Sequence, residues 1–165
     1  MKNKKRIKSS GSILLNQHID TAFTFFANPS NDPVWRTEIN ASTLNGTLEV
    51  GVEVSEYSFL SKKAPNNLVE LLCVQFETNK AAIFETPNGA PFYLRSERQV
   101  TAISGNKTAV FYQVEFDLDL VKYAVGFSLP AFIVSFKASS DLKKYLRQLK
   151  MVLENKAQKS SNQIV

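Results

Sequence analysis

The chain has 165 residues, 44% of them hydrophobic and 21% charged, which fits one folded domain and excludes a disordered or collagen-like chain. The net charge of +5 lies at the chain ends, since residues 1–8 carry five basic side chains whereas residues 9–140 hold nine basic and thirteen acidic ones. A mildly acidic body lacks the basic surface that binds phosphate backbones, so we expect no nucleic-acid partner.

The N-terminal part of the chain predicts one strand followed by two short helices. Residues 7–16 have strand character, and residues 19–27 predict a short amphipathic helix that ends before Asn28-Pro29, because the residue before a proline disfavours the helical conformation. Residues 30–36 suit a second short helix with a proline near its start, where the missing N–H is tolerated.

From residue 38 the apolar residues recur at every second position, and turn residues such as Asn45-Gly46 interrupt the pattern at regular intervals. Six strands are predicted, at about 38–44, 47–61, 68–77, 80–86, 91–103 and 108–119. Because consecutive strands joined by short turns usually pair with each other, these strands predict an antiparallel meander.

After residue 130 the apolar spacing changes to the period of a helix. The pattern predicts a helix of about 36 Å over residues 131–154, with Pro130 in its first turn and residues 120–129 as a connection. The predicted fold class is α+β, with a curved seven-stranded antiparallel sheet wrapped around the long C-terminal helix. One helix about 10 Å wide cannot fill the concave side of so wide a sheet, so we expect a cavity between them.

The order of these elements resembles the START-like superfamily, also described as SRPBCC, helix-grip or polyketide cyclase/dehydrase-like proteins. The resemblance covers about residues 7–154 and is carried by the helix at 19–27, by Trp35 in the Asn31–Trp35 segment, by the run 48–54 and by the ending 141–154.

This resemblance implies a deep apolar cavity that binds lipids, sterols, polyketides, hormones or aromatic compounds. It implies a START-like ligand-binding domain at residues 7–155, between a basic N-terminal arm at 1–6 and a polar C-terminal tail at 156–165. The superfamily shares no catalytic motif, so no catalytic residue is assigned.

The inward faces of two strands supply the first candidate cavity residues. Along the last strand, Tyr112, Val114 and Phe116 share the more apolar face, and along the preceding strand Ser96 and Arg98 share it. The Tyr112 hydroxyl could meet a ligand or be satisfied within the protein. Arg98 could pair with an anionic or carbonyl-bearing ligand, or with a carboxylate of the protein.

Three further candidates could lie in the cavity or could have a place elsewhere in the structure. Glu56 and Glu70 alternate with apolar neighbours, so burial would perturb their pKa values and suit them to acid or base chemistry, but a shift of one residue in register would place them on the surface. Trp35 could wall one end of the cavity or anchor the short helices in the core.

The lead-in to the long helix is unusually apolar and contains Phe127, Phe132 and Phe136. These side chains could form a lid or an entrance to the cavity, a homodimer surface, or ordinary core.

The sequence contains no targeting or membrane-spanning signal. Only three apolar residues, 13–15, precede polar ones, and no apolar run approaches the ~18 residues that cross a bilayer. We therefore expect a cytoplasmic protein without a transmembrane segment. One histidine and the single Cys73 give no metal site, and we expect no cofactor.

Three functions remain open. The first is binding of an apolar small molecule or lipid, which the scarcity of inward polar groups favours. The second is a polyketide cyclase or dehydratase-like enzyme that uses a buried acid or base. The third is a protein-partner role, such as assisting a chaperone, with the cavity unused.

Overall fold

The computed structural model describes residues 4–161, so residues 1–3 of the predicted arm and 162–165 of the predicted tail lie outside the described part of the chain. A 3₁₀ turn at Pro29–Asn31 lies between the first two helices. The elements in chain order are β1 (Arg6–Leu15), α1 (Ile19–Phe26), α2 (Asp32–Trp35), β2 (Ile39–Leu44), β3 (Glu53–Ser58), β4 (Asn67–Glu77), β5 (Ala81–Glu85), β6 (Leu94–Ser104), β7 (Lys107–Asp117), α3 (Leu118–Val125) and α4 (Ala131–Ser161).

The seven strands form one antiparallel sheet in the order β1-β7-β6-β5-β4-β3-β2. Strands β2 to β7 pair with their sequence neighbours, as the short turns predict, and β1 returns to pair with β7 along its whole length. The sheet curls into a half-barrel around the C-terminal helix, which confirms the predicted α+β helix-grip class.

Helix α4 packs closely on β1. A Cβ added at Gly11 would lie 2.7 Å from Leu142 Cδ2 and 3.1 Å from Leu146 Cδ1, so any larger residue there would force the ends of these leucine side chains to move. Leu149 and Leu153 continue the buried stripe of the helix. The helix runs to Ser161 and is therefore longer than the predicted 131–154.

Helices α1 and α2 cover one end of the concave face of the sheet. Phe23, Phe26 and Trp35 are buried there, and the ring centroids of Trp35 and Phe26 lie 5.6 Å apart. These helices and α4 divide the concave face, so the space that remains lies between α4 and β3, β6 and β7.

Residues 120–129 connect β7 to α4 as predicted, but the first half of this connection is a helix that the sequence analysis did not identify. Helix α3 follows directly from β7 and ends at Gly126, whose φ of 87° is the left-handed conformation common after a helix C-terminus. Leu120 and Ala124 are its buried residues, one helical turn apart. Pro130 marks the start of α4 in the sequence and gives no sign of this shorter helix.

The strand β1 begins at Arg6, the last residue of the predicted arm, and Arg6 Nη1 donates to Glu115 at 3.4 Å.

Across the described part of the chain, no helix combines the length and apolar character needed to cross a bilayer.

Candidate functional site

A cavity of about 510 Å³ lies between the sheet and helices α3 and α4. Pockets of this size commonly bind small organic molecules. Most of its wall is apolar. The wall residues are Arg36, Glu38, Glu56, Ser58, Phe59, Leu60, Leu94, Ser96, Tyr112, Val114, Phe116, Leu120, Val121, Ala124, Val125, Leu129, Ile133, Val134, Lys137, Ala138, Asp141, Leu142 and Tyr145.

A group of five charged side chains, here called the charge cluster, lies at the deeper end of the cavity and behind it. Its members are Asp32, Arg36, Glu38, Glu56 and Arg98, and all except Glu38 are buried. Two arginines face three carboxylates, so the cluster carries one net negative charge when every group is ionised.

Arg98 forms the deepest part of the charge cluster. Its Nη1 and Nη2 donate to the two oxygens of Asp32 at 2.8 and 2.6 Å, and Nη1 also donates to the Phe26 carbonyl at 2.9 Å. Its Nε donates to Ser96 Oγ at 3.3 Å. The two-pronged contact with Asp32 uses the planar fork of the guanidinium and fixes α2 against β6.

Arg36 joins the cluster to the cavity wall. Its Nη1 donates to Asp32 Oδ2 at 3.0 Å and to Glu56 Oε2 at 2.9 Å, and its Nε donates to Glu38 at 2.9 Å. Among the described residues, Glu56 forms no hydrogen bond through Oε1.

The burial of the cluster changes the titration of its members. Burial raises the pKa of Glu56, and this effect outweighs the neighbouring Arg36, which lowers it. Burial works to lower the pKa of Arg36, but the nearby Glu56, together with Tyr112, Glu38 and Asp32, raises it above its ordinary value. Glu56 is therefore the carboxylate of the cavity wall that takes up a proton more readily than an exposed glutamate does.

Tyr112 links the charge cluster to the aromatic core. Its ring packs edge-on against Trp35 and Phe26, with centroids 5.2 and 5.9 Å away. Within residues 4–161 its buried hydroxyl has no hydrogen-bond partner, a situation that costs about 1–3 kcal/mol for a buried polar group. Burial raises the pKa of this phenol, so the group is neutral and able to donate.

The rim of the cavity is also polar on the α4 side. Lys137 and Asp141 lie one helical turn apart on the cavity wall and form an ion pair. Tyr145 lies one turn further along, and burial together with the neighbouring Glu38 raises the pKa of its phenol.

Five of the candidate residues from the sequence line this cavity. They are Glu56, Ser96, Tyr112, Val114 and Phe116. Their common feature is alternation: each lies on the concave face of β3, β6 or β7, which the period-two pattern indicates.

The other strand and helix candidates lie elsewhere. Glu70 is exposed on the outer face, because Ser55 rather than Glu56 pairs with it across β3 and β4, and Ser55 Oγ donates to it at 2.9 Å. Arg98 is on the concave face but is covered by Asp32, and Trp35 is a fully buried core residue behind Tyr112.

The three phenylalanines of the apolar lead-in, for which an entrance, a homodimer surface and ordinary core were all open, are exposed and do not form the wall. Phe132 and Phe136 are 74% and 79% exposed, and Phe127 is 59% exposed. Leu129 and Ile133, which alternate with them along the same segment, line the cavity instead. The exposed rings therefore lie beside the cavity mouth.

Sequence reasoning missed Asp32, Arg36, Glu38 and Tyr145. The spacing of Asp32 and Arg36 is that of an ion pair on one helix turn, which the sequence does display. No residue near Asp32 in the sequence indicates that Asp32 also pairs with Arg98, 66 residues further along the chain.

Comparison with known proteins finds similar structures but no match by sequence. No family model matches the chain, and no curated protein matches it by sequence. Among solved structures, a START superfamily protein from Mycobacterium smegmatis superposes with a TM-score of 0.70 at 11% identity, over 90% of this chain and 97% of that one.

Two polyketide-pathway structures are also similar. The Zhui aromatase/cyclase from Streptomyces sp. R1128 has a TM-score of 0.70 at 10% identity, over 93% of this chain and 96% of that one. The di-domain ARO/CYC StfQ of the steffimycin biosynthetic pathway has a TM-score of 0.68 at 8% identity, over 92% of this chain and 52% of that one. At these identities the comparisons establish architecture, and this protein therefore has the START-like, helix-grip fold.

Proposed function

We propose that this protein binds an apolar small molecule or lipid in the cavity between the sheet, α3 and α4. The observation that carries the proposal is the cavity itself, about 510 Å³ in volume, with a mostly apolar wall and a polar end built from Arg36, Glu38, Glu56 and Tyr112. An apolar wall supplies affinity through the area that it removes from water, and a few fixed polar groups orient the ligand.

The polar end supports a specific orientation. Since the charge cluster is held by a network of short contacts from α2, β3 and β6, its groups are in place before a ligand arrives. The ligand's polar group faces Glu56 and Tyr112, and its apolar part lies along Val114, Leu120 and Ala124 towards the mouth.

A blocking substitution tests this proposal. Val114→Trp would fill part of the cavity from β7, whereas Val74→Trp makes the same change at a residue that is 40% exposed and outside the wall. We expect the neutral dye N-phenylnaphthylamine to bind the wild type and Val74→Trp with similar affinity, and Val114→Trp at least about tenfold more weakly. Equal binding by all three, with Val114→Trp still folded, would contradict the proposal.

An enzymatic role is the second candidate, and the titration of Glu56 favours it. A carboxyl group with a raised pKa on the wall of an apolar cavity is suited to general acid chemistry, and Tyr112 offers a hydroxyl on the same wall. In a cyclase or dehydratase-like reaction the protonated Glu56 would give its proton to the leaving hydroxyl, and its carboxylate would take up the proton of the α-carbon, so that a C=C bond forms, one water leaves and Glu56 is protonated again. Incubation with β-hydroxyacyl thioesters should then yield a product lighter by one water, with Glu70→Gln active and Glu56→Gln inactive.

A protein-partner role or a homodimer would use the exposed phenylalanines beside the mouth. Phe127, Phe132 and Phe136 are large apolar side chains on one segment, which is more than a solvent-facing surface ordinarily carries. If this surface joins two copies, light scattering should give a dimer mass for the wild type and a monomer mass for the Phe132→Ser/Phe136→Ser variant. A monomer for the wild type would exclude the homodimer.

A further inference from the structure

The arginines near the cavity are already engaged by carboxylates of the protein. Arg98 directs four contacts to Asp32, the Phe26 carbonyl and Ser96, and Arg36 directs its contacts to Asp32, Glu38 and Glu56. A ligand carboxylate would have to compete with these built-in anions for a guanidinium. The sequence left open whether Arg98 pairs with a ligand or with a carboxylate of the protein, and in the structure its partner is the protein carboxylate Asp32.

The charges of the cavity wall also disfavour an anion. Arg36 and Lys137 are the basic residues of the wall, and Glu38, Glu56 and Asp141 are the acidic ones. Lys137 is paired with Asp141 at the rim, so the polar end itself holds one arginine between two glutamates. An anionic head group placed there would lose its hydration and meet net negative charge.

Three unpaired groups of the polar end match a hydroxyl. Within the described part of the chain, the acceptors Glu56 Oε1 and Glu38 Oε2 form no hydrogen bond, and the buried Tyr112 hydroxyl has none either. An ionised Glu56 only accepts and the Tyr112 phenol can donate, so the complementary group both donates and accepts. Alcohols and phenols do both, whereas ethers and carboxylates only accept.

We propose that the cavity recognises the hydroxyl group of a neutral apolar alcohol or phenol at Glu56 and Tyr112, and discriminates against the corresponding carboxylate. This inference rests on the proposed binding function and names the ligand class of the same site.

The experiment compares three ligands of matched length by displacement of N-phenylnaphthylamine at about pH 8, where a fatty carboxyl group is ionised. Dodecanol donates and accepts, methyl undecyl ether only accepts, and dodecanoate is an anion. We expect dodecanol to displace the dye at a concentration at least about tenfold lower than dodecanoate, and also lower than the ether, although the ether is the more apolar of the two.

Any apolar cavity disfavours a carboxylate to some degree, so two variants isolate the contribution of the polar end. Glu56→Gln removes one negative charge and replaces one carboxylate oxygen by an amide NH2, which faces the ligand because Arg36 needs the remaining oxygen as its acceptor. The preference for dodecanol over dodecanoate should then fall by about fivefold or more. Glu70→Gln makes the same change on the outer face of the sheet, where Glu70 is exposed, and should leave the preference unchanged.

The outcomes separate the two proposals. If dodecanoate or the ether binds the wild type as tightly as dodecanol, or if Glu56→Gln and Glu70→Gln keep the same preference, the hydroxyl inference is wrong while the binding function stands. If the dye does not bind and no ligand changes the intrinsic fluorescence of the buried Trp35, the binding function fails, and the hydroxyl inference with it. Should Glu56→Gln not fold, Glu38→Gln removes the other glutamate charge of the wall and gives the same comparison.

Discussion

The charge cluster makes Arg98 the position where a single substitution should cost most. Arg98→Met keeps a long apolar stem but removes the guanidinium, which is 1% exposed. Asp32 then loses contacts at 2.6 and 2.8 Å and, among the described residues, keeps its contact with Arg36 at 3.0 Å, and the Phe26 carbonyl and Ser96 each lose a donor.

The expected loss follows from this geometry. Removing one partner of a buried ion pair leaves the other charge uncompensated and costs about 3–5 kcal/mol. For a chain of this length about 1 kcal/mol lowers the melting temperature by about 2–4 °C, so Arg98→Met should lower it by about 6–20 °C.

The matched control is Arg95→Met on the same strand. Arg95 is one-quarter exposed on the opposite face and pairs with Glu85 and Glu97, so its loss should cost no more than about 1 kcal/mol. Thermal melts of both variants give the comparison, and the Asp32→Asn/Arg98→Met double variant should lose less than the sum of the single ones. Equal melting temperatures for the two arginine variants would refute the view that the cluster holds α2 on the sheet.

Three other variants test separate parts of the structure. Burial raises the Glu56 pKa above its ordinary 4.5, so the stability that the protonated group contributes is full below about pH 4.5 and is lost as pH rises through the folded pKa. The melting temperature of the wild type minus that of Glu56→Gln should therefore fall as pH rises above about 4.5, and a rise would contradict the assignment. Gly11→Ala should lower the free energy of unfolding, measured by urea denaturation, by about 1–3 kcal/mol because its Cβ meets Leu142. Gly105→Ala, with open space around it, should change that free energy little, and similar values for the two variants would show that α4 packs loosely on β1. Phe132→Ala should change the rate at which the dye leaves the cavity if the exposed ring beside the mouth acts as a gate, and an unchanged rate in stopped-flow fluorescence would remove that role.

The fold was largely predictable from the sequence, since period and turn residues are local signals. The alternation in β7 placed Tyr112, Val114 and Phe116 on one face, and the structure puts all three on the cavity wall. The helix α3 was missed because its eight residues lie between a strand end and Pro130, where the apolar residues also fit a connection.

The candidate site was predictable only in part, because it depends on register and on long-range pairing. Alternation alone could not decide that Glu56 faces inward and Glu70 outward, since that follows from the pairing of Ser55 with Glu70. The partner of Arg98 is likewise set by how α2 packs on the sheet, and Asp32 could not be identified from the strand that carries Arg98.

The most direct measurement of the central proposal is native mass spectrometry of the protein as purified from cells, compared with its denatured mass. The proposed function predicts an added mass of a few hundred daltons that is lost on denaturation and is absent from Val114→Trp. The hydroxyl inference adds that the released compound is neutral and bears a hydroxyl group. A protein that carries no added mass, together with no thermal shift from dodecanol or from other neutral apolar compounds, would contradict a ligand-binding role for the cavity.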